Sequence, residues 1–234
     1  MSTDLLEARV RFHRLLARLP ELRAAPPAAR QALAAAAQPR TYGPGQIVYH
    51  GGEPAAGIFL LERGWVKATR VSCQGREQAT LFLRAPEIFG DIAVLNEEPY
   101  PCTVTTLESV AVWHVPAAVF RAQLEAFHPL ALAFVRRLAG RVRYFVDLVE
   151  DLGLCSVETR VARTLLRHAH FQKGHWVVPR QGWTTIGQMA VRLGTVRDVL
   201  NRVLRGLERE GLIEVRRREI VVRDPEGLAR RGIP

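Results

Sequence analysis

Residues 184–223 constrain the fold of this chain more than any other stretch, because their pattern is that of short helices joined by a tight turn. Apolar side chains recur first at the i, i+3, i+4, i+7 spacing of a helix with one buried face. They are Ile186, Met189, Ala190 and Leu193. Thr184 or Thr185 supplies an N-cap. Gly194, which takes a left-handed backbone without steric penalty, follows the last of them. The pattern predicts a supporting helix that ends in a sharp turn.

A second helix is predicted directly after this turn. Thr195 and Asp198 have the spacing of a capping box, in which a hydroxyl caps the helix and a carboxylate three residues later reaches back. The face predicted to be buried carries Val199, Leu200, Val203, Leu204 and Leu207. The opposite face carries Arg197, Asp198, Asn201, Arg202, Arg205 and Arg209. Gly211 is expected to end the helix.

The polar face of this second helix has the chemistry needed to read DNA. An arginine can fork onto guanine O6 and N7, a carboxylate can accept a hydrogen bond from cytosine N4, and further arginines can hold phosphates. For an isolated helix, a solvated face stabilised by ion pairs such as Asp198 with Arg202 is the commoner explanation. The residues that follow the helix decide between the two.

A small hairpin follows Gly211. Residues 212–215 and 219–223 alternate as strands around Arg216, Arg217 and Arg218. A hairpin in this place forms a wing, and its basic tip could reach the phosphate backbone. The sequence therefore favours a winged helix-turn-helix that binds double-stranded DNA.

Two runs in this region resemble the helix-turn-helix of the Crp/Fnr superfamily of bacterial transcription factors. They are Gly194 to Arg202 (GTVRDVLNR) and Leu207 to Ile213 (LEREGLI). In that family an Arg-Glu-x-x-x-Arg or Glu-x-x-Ser-Arg pattern reads the operator. The resemblance implies such roles for Arg197, Asp198, Asn201 and Arg202, although Asp198 replaces Glu and Asn201 replaces Ser. With the polar face and the wing included, the predicted DNA-binding residues are Thr195, Arg197, Asp198, Asn201, Arg202, Arg205 and Arg217.

The charge of the chain is concentrated in this C-terminal part. The 234 residues have a net charge of +10. Residues 157–234 contain 16 Arg and Lys against 8 Asp and Glu, which gives +8, and residues 1–156 contain 17 against 15, which gives +2. This asymmetry indicates attraction to nucleic acid, although a charge excess alone could also mark a membrane surface or a solubility preference.

The middle of the chain is predicted to be a β-roll or barrel. Glycine and proline separate short β-type runs at 46–50, 58–61, 65–71, 78–83, 102–107 and 110–115. This part resembles the cyclic-nucleotide-binding β-roll of the same superfamily. The matching motifs are Gly45-Gln46, Gly52-Glu53-Pro54, Gly64, Gly75-Arg76-Glu77 and Phe89-Gly90-Asp91. The predicted fold class is therefore α+β, with residues 1–38 as helices that cover the roll.

The effector pocket departs from the pattern that the resemblance implies. In the family, a Gly-Glu element and, about ten residues later, an Arg-Ser or Arg-Thr pair hold the cyclic-nucleotide phosphate. Here the corresponding candidates are Gly90, Asp91, Pro101 and Cys102. A phosphate buried without a cation is unfavourable by several kcal/mol, so we expect cyclic AMP to bind weakly or not at all. Substitution by another arginine stays open, and its candidates are Arg63, Arg76 and Arg84.

Between the two regions, residues 129–152 predict a long helix with the a/d seam of a two-stranded coiled coil. The seam residues expected to form a homodimer interface are Val135, Leu138, Val142, Phe145, Val149 and Leu152. Packing of the helix on its own β-roll is the alternative for one stripe, and Phe134 on an adjacent stripe suits it. Gly153 is expected to break the helix as a hinge. The predicted segments are 1–128, 129–153 and 154–234.

The sequence argues against several other classes of protein. It contains no G-x-x-x-x-G-K, G-x-S-x-G or H-E-x-x-H motif, so we expect no enzymatic activity. Cys73, Cys102 and Cys155 are too few for a disulfide framework and form no C-x-x-C pair. His168, His170 and His175 could attract a metal, but no carboxylate or cysteine accompanies them at ligand spacing, so neither a cofactor nor a metal is expected. No segment approaches the roughly 20 apolar residues that cross a bilayer, which predicts a cytoplasmic protein without a membrane partner.

These patterns predict a sequence-specific transcriptional regulator that binds an inverted-repeat operator as a homodimer and is not gated by cyclic AMP in the usual way. The family resemblance also implies RNA polymerase as a partner. Two alternatives stay open at this point. One is a cyclic-nucleotide-responsive regulator with a substitute phosphate-binding arginine, and the other is a regulatory module whose winged helix binds protein.

Overall fold

The computed structural model describes residues 3–71, 77–172, 174–180 and 185–233. They form two compact units, and the boundary between the units falls between Val142 and Arg143. The first unit holds residues up to 71 and 80–142, and the second holds residues 77–79 and those from 143 onward. Predictions that involve Cys73, Gly75, Arg76 or Thr184 fall outside the described residues.

Three helices cover one face of the first unit, as predicted for residues 1–38. They are α1 (Thr3–Arg18), α2 (Pro20–Arg23) and α3 (Pro27–Ala36). Their apolar stripes form one buried cluster, which includes Phe12, Leu15, Leu16, Leu22 and Leu33. The Phe12 ring meets the Trp113 ring edge to face at a centroid distance of 5.0 Å. These helices therefore lie on the β-roll as a lid.

The β-roll consists of two four-stranded sheets. Its strands are β1 (Gln38–Tyr42), β2 (Ile47–Tyr49), β3 (Gly57–Arg63), β4 (Trp65–Val71), β5 (Glu77–Arg84), β6 (Glu87–Phe89), β7 (Thr103–Thr106) and β8 (Val110–Pro116). One sheet has the order β1-β8-β3-β6 and the other β2-β7-β4-β5. The six predicted runs are confirmed as strands. β1 was not predicted, because its sequence QPRTY is mostly exposed and is held by antiparallel pairing with β8.

Strand β3 lies at the centre of the first unit and is buried on both faces. Ile58 and Leu60 pack into the cluster under the N-terminal helices. Phe59 and Leu61, one residue out of phase, pack into the core between the two sheets. The period of two along a strand explains this division. A strand buried on both faces reads as a continuous apolar run, which is why it was readily recognised in the sequence.

Three further helices belong to this part of the chain. α4 (Asp91–Asn96) lies between β6 and β7, and α5 (Ala117–Ala126) and α6 (His128–Leu154) follow β8. The long helix predicted for residues 129–152 is thus confirmed as α6. Phe134 is buried and meets Phe120 edge to face at 4.9 Å, as expected for the stripe that faces the roll. No helix among the described residues, α6 included, combines the length and the apolar composition needed to cross a membrane.

The prediction that Gly153 breaks this helix is wrong. Gly153 lies inside α6, which continues to Leu154. A glycine in a helix costs only about 1 kcal/mol relative to alanine, which a long, packed helix tolerates. The break comes at the next residues, where Ser156 caps α7 (Val157–His168) by accepting a hydrogen bond from the Thr159 N–H at 3.1 Å.

The second unit has the predicted winged-helix elements. After α7 come β9 (His170–Gln172), β10 (His175–Pro179), α8 (Ile186–Arg192), α9 (Arg197–Arg209), β11 (Ile213–Val215), β12 (Glu219–Val222) and α10 (Pro225–Arg231). The sheet order is β11-β12-β10-β9. β9, β10 and α10 were not predicted. Both predicted recognition elements and the wing are confirmed.

The predicted capping box at Thr195 is wrong. α9 begins at Arg197, its N-cap is Val196, and no side chain caps it. The Thr195 N–H instead donates to the Ala190 carbonyl at 3.0 Å and so closes the end of α8. Gly194 has the expected left-handed backbone, with φ +62°. The tight turn therefore uses Thr195 for the first helix, and the second starts two residues later.

His114 on β8 is a buried group whose ionisation opposes folding. Its side chain is 7% exposed, and neither ring nitrogen has a hydrogen-bond partner among the described residues. Burial, and after it the charge of Arg40, lowers the pKa of His114 below the ordinary value of 6.5. The unfolded chain therefore binds a proton at a pH at which the folded chain does not. The stability that the neutral His114 contributes is fully present above about pH 6.5 and is lost as the pH falls below this value.

The free energy of unfolding of the wild type should fall between pH 7.5 and pH 5.5, and that of a His114→Leu variant should fall less. Unfolding in denaturant at each pH measures both. The exposed His50→Leu variant is the control and should keep the wild-type loss. His168, whose pKa is lowered to about 4 chiefly by burial, contributes a loss of the same sign in all three proteins. An equal loss in wild type and His114→Leu would contradict the prediction.

Candidate DNA interface and effector cavity

The recognition helix α9 has one buried and one exposed face. Leu200, Leu204 and Leu207 are buried, and α9 packs against α7 and α8. The predicted DNA-binding residues of its other face line a shallow surface groove that comprises Asp198, Asn201, Arg202, Arg205, Glu208 and Arg209. No ion pair joins Asp198 and Arg202 within the described part of the chain. The alternative, a solvated face stabilised by that ion pair, therefore does not apply. These side chains are open to a partner.

Arg197, the first residue of α9, lies against the preceding helix. A Cβ placed on Gly187 of α8 would be 2.7 Å from Nη2 and 3.1 Å from Nε of Arg197. The guanidinium therefore rests on the bare backbone that this glycine provides. Sequence analysis did not identify Gly187, because a glycine within a helical pattern reads only as a weak position.

The wing is braced by ion pairs that involve one of the three arginines at its tip, Arg216. Arg216 binds Glu214 at 2.8 Å and Glu219 at 3.0 Å. Arg223 also pairs with Glu214, and the two cations, Arg216 first, lower the pKa of this carboxyl to about 2. Arg217 is exposed and forms no ion pair with another described residue. Arg218 is likewise exposed and forms no ion pair with another described residue, so two tip arginines are open, and the phosphate contact of Arg217 stays a prediction.

Two contacts that the sequence did not suggest fix the wing. The backbone N–H of Arg180 donates to the Arg218 carbonyl at 2.7 Å, and its guanidinium donates to the Arg216 carbonyl at 2.9 Å. On the other side, the Val215 N–H donates to the Glu208 carboxylate of α9 at 2.8 Å. The two bonds of Arg180 join residues distant in sequence. They set the wing relative to the recognition helix.

The effector cavity lies inside the β-roll and is mostly apolar. Its lining includes the predicted Gly90, Asp91, Pro101 and Cys102, and these are joined by Tyr49, Ala68, Leu81, Leu83, Phe89, Ile92, Ala93, Val104 and Arg141. Gly90 has φ +82° and immediately precedes α4. The Tyr49 ring stacks on Tyr100 at 3.8 Å. Burial raises the pKa of the Cys102 thiol, which disfavours its reactive thiolate form.

Asp91 in this cavity is fully buried and paired with two arginines. Arg141 Nη1 lies 2.8 Å from Asp91 Oδ1, and Arg137 Nε lies 3.2 Å from Oδ2. Arg137 also binds Glu21 at 3.0 Å and pairs with Glu87. Burial disfavours the charge of Arg137, but the carboxylates of Glu87, Asp91 and Glu21 outweigh it and raise the pKa.

This pairing decides what the cavity offers to an anion. Arg141 is the cation among the described lining residues, and it is already bound to Asp91 and, at 2.7 Å, to the Ile88 carbonyl. Two of the proposed substitutes, Arg63 and Arg84, are described, and neither lines the cavity: Arg63 is exposed, and the Arg84 guanidinium lies over the Trp65 ring at 5.6 Å. The third, Arg76, lies outside the described residues. Sequence analysis missed Arg137 and Arg141. What the sequence offers for recognising this pair is its spacing, two arginines one turn apart on the predicted helix.

The predicted dimer seam on α6 is partly exposed. Val135, Val142 and Val149 are 60%, 62% and 71% exposed, and Val146 beside them is 60% exposed. Leu138 and Phe145 are half-buried. Leu152 lies against Gly194, since a Cβ on that glycine would be 2.8 Å from its Cδ2. The exposed valines form a stripe, called here the valine stripe (Val135, Val142, Val146 and Val149).

Comparisons with known proteins agree with both halves of this structure. A model of the cyclic nucleotide-binding domain matches residues 39–127, and a model of the Crp-like helix-turn-helix domain matches residues 159–231. A CRP-like cAMP-activated global transcriptional regulator of Mycobacterium tuberculosis is 26% identical over 93% of this chain and 98% of its own. The Cyclic AMP receptor protein of Thermus thermophilus is 26% identical over 80% of this chain and 84% of its own.

Solved structures show the same fold. FixK2 from Bradyrhizobium japonicum superposes with a TM-score of 0.73 and 20% sequence identity over 85% of this chain and 98% of that one. The structure of CooA from Carboxydothermus hydrogenoformans gives 0.73 at 16% identity, with 85% and 89% of the chains covered. With a nucleotide-binding-type roll followed by a Crp-like helix-turn-helix, the chain belongs to the Crp/Fnr superfamily of DNA-binding transcriptional regulators.

Proposed function

We propose that this regulator binds an inverted-repeat operator as a homodimer and reads each half-site with α9. The observation that carries the proposal is the exposed polar face of α9, whose Asp198, Asn201 and Arg202 form a groove beside a braced wing. Its apolar face is occupied by the core of the second unit, so the polar face is the one left for DNA. Membership of the family supports RNA polymerase as a partner and the cytoplasm as the location.

The side chains of α9 have different proposed roles. Arg197 and Arg202 are suited to fork onto guanine, and Asp198 to accept from cytosine N4. Asn201 lines the groove with Asp198 and Arg202 and can bond a base edge or a backbone oxygen. Arg205 and Thr195 flank this set, and Arg217 on the wing tip is placed for the phosphate backbone. Base contacts give sequence preference, whereas phosphate contacts give affinity and register.

The valine stripe supports the dimer. Exposed valines spaced along one face of a helix are unfavourable in water, and burial of apolar surface contributes about 25 cal/mol per Å². Spacings of four and three residues suit the seam of two helices that pack side by side. A twofold dimer of this type would place two recognition helices about one DNA turn apart, so the half-site centres should lie roughly 34 Å apart.

The cavity supports a regulator that does not use cyclic AMP in the usual way. The similar proteins from Mycobacterium and Thermus are named for cyclic AMP. In this chain a phosphate entering beside Asp91 would meet a buried carboxylate whose arginine partners are already engaged. Repulsion by that carboxylate and the absence of an uncommitted cation among the described lining residues both oppose binding.

Arg197→Ala and Arg217→Ala should affect DNA binding differently. Arg197→Ala should reduce discrimination between operator and random DNA by about 1–3 kcal/mol, because it removes a base contact. Arg217→Ala should weaken both DNAs alike and lower the salt slope by about 1, because it removes a phosphate contact. Fluorescence anisotropy on a fragment from beside the gene, against random DNA, measures both. Arg63→Ala is the control for loss of one charge, and equal losses on both DNAs for both variants would reject the assignment.

Gly187 gives an independent check of the Arg197 position. Gly187→Ala should displace the guanidinium and reduce operator affinity in the wild-type background. In the Arg197→Ala background the same change should have little effect, so a double-mutant cycle should show coupling between the two positions. Additive effects in the cycle would show that Gly187 acts on DNA binding by another route.

A charge in the valine stripe should separate the protomers. We expect Val142→Glu to shift the chain from dimer to monomer in analytical ultracentrifugation, because two carboxylates would meet across a twofold seam. The Glu108→Gln variant is the control. It changes an exposed residue between β7 and β8 and should leave the molecular mass in solution unchanged. A wild-type monomer at micromolar concentration would contradict the dimer.

Cyclic AMP should bind this chain weakly in isothermal titration calorimetry. A Pro101→Arg, Cys102→Ser double variant supplies the cation and hydroxyl that the family pattern has at these positions. It should gain about 10-fold to 100-fold in affinity, the range expected of one charged hydrogen bond. Tight binding by the wild type would mean that another arginine holds the phosphate and that the alternative, a cyclic-nucleotide-responsive regulator, is correct.

A further inference from the structure

Val196 is an exposed apolar side chain at the end of α9 that carries the predicted base contacts. It immediately precedes Arg197, the first residue of the helix, and is 55% exposed. Among the described residues 185–223, which hold both recognition elements and the wing, no other large apolar side chain is as exposed. Its neighbours Arg197 and Asp198 are exposed and charged. A single exposed valine is common on protein surfaces, so its position decides whether it has a role.

Valine is poorly suited to the backbone position that Val196 occupies. This position is the N-cap of α9, where Ser, Thr, Asp or Asn would accept a hydrogen bond from an N–H of the first turn, and no side chain does so here. The other described helices that begin in the second unit are capped by side chains: α7 by Ser156, α8 by Thr185 and α10 by Asp224. A residue that breaks a local rule kept elsewhere in the same unit points to a role outside folding.

The backbone on either side of Val196 is held in place. The Thr195 N–H donates to the Ala190 carbonyl at 3.0 Å at the end of α8, and the Val196 carbonyl accepts from the Leu200 N–H at 3.1 Å in the first turn of α9. Leu200 is fully buried, so this turn is anchored in the core. A β-branched side chain also has few rotamers. Val196 therefore presents its two methyl groups from a defined place, as contact with a fixed partner requires.

The apolar group that a recognition helix meets in the major groove is the C5-methyl of thymine. The N-terminal residues of such a helix are the ones that contact base edges. Apolar side chains select thymine by contact with this methyl group, which the other bases lack. Arg197 and Asp198 have hydrogen-bonding groups suited to guanine and cytosine, and neither recognises an apolar group. Val196 thus supplies the chemistry that its two neighbours lack.

We propose that Val196 is a specificity-determining residue that packs against the methyl group of one thymine in each half-site. The inference rests on the proposed function, since it requires that α9 enters the major groove. The contact buries apolar surface of both partners and favours T·A over the other base pairs at one position, beside those read by Arg197 and Asp198. Removal of the thymine methyl should weaken binding about 4-fold, the effect of one buried methyl group.

The test is thymine-to-uracil substitution in DNA bound by the full chain. A preferred site is first selected by the wild type from a pool of random duplexes. Each thymine of that site is then replaced by uracil, which removes the methyl group and keeps the base pairing and the charge, and affinity is measured by fluorescence anisotropy. Val196→Ser removes both methyl groups, whereas Val196→Ile keeps a β-branched apolar side chain. Val71→Ser, at a valine of the first unit that is 64% exposed, is the matched control.

Uracil at one thymine of a half-site should weaken binding by the wild type, Val196→Ile and Val71→Ser about 4-fold, and should leave binding by Val196→Ser unchanged. Val196→Ser should be at least as stable as the wild type in denaturant, because its hydroxyl can cap α9, so unfolding does not explain its loss of thymine preference.

The result that overturns the contact is equal uracil sensitivity in wild type and Val196→Ser, or a site in which no thymine is sensitive to uracil. Either would leave the proposed function in place. If the selection yields no preferred site, the proposed function fails, and the role of Val196 fails with it.

Discussion

The carboxylate of Asp91 is the constraint on which the first unit depends. It is completely buried, and a buried charge is tolerated only when it is paired and hydrogen-bonded. Arg137 and Arg141, one turn apart on α6, supply the pairs and also bind the Ile88 carbonyl. Arg137 also binds Glu21 of α2 and Glu87 of β6. Removal of one partner would leave a buried charge uncompensated, so the network holds the helix α6 against the roll.

This network also determines the character of the effector cavity. In a phosphate-binding site, the cationic side chains are not paired with acidic groups of the protein and so are available to the ligand. Here the arginine that lines the cavity is occupied by an acidic side chain of the protein itself, and the rest of the described lining is mainly apolar. The cavity of a nucleotide-binding-type fold has thus been given a different balance of charge. Fold and ligand are separable, since the roll is built by alternation along its strands and the ligand is chosen by a few polar groups.

Arginine has three different roles in the second unit. On α9 it is exposed and forms no ion pair with an acidic residue of the described segments, which suits DNA. At the wing Arg216 and Arg223 gather Glu214 and hold the hairpin in shape. At the end of α6 Arg160 and Arg163 bind the terminal carbonyls and the carboxylate of Asp151. A basic excess read from composition therefore overstates the charge that is free to bind nucleic acid, because part of it is used for structure.

The sequence by itself determined most of the secondary structure and the candidate DNA interface, because both depend on local periodicity. The spacing of Leu200, Leu204 and Leu207 fixes which face of α9 is buried, and hence that Arg202 is exposed and Asn201 half-buried at its edge. It could not place β1, whose exposed residues are held by pairing with β8, nor the true start of α9, where the Thr195 N–H closes α8 instead of the hydroxyl capping the next helix. Tertiary structure alone decided the partners of Asp91 and the contact between the Arg197 guanidinium and the Gly187 backbone. Each joins residues far apart or in different helices, and long-range burial of charge leaves no periodic signal in a sequence.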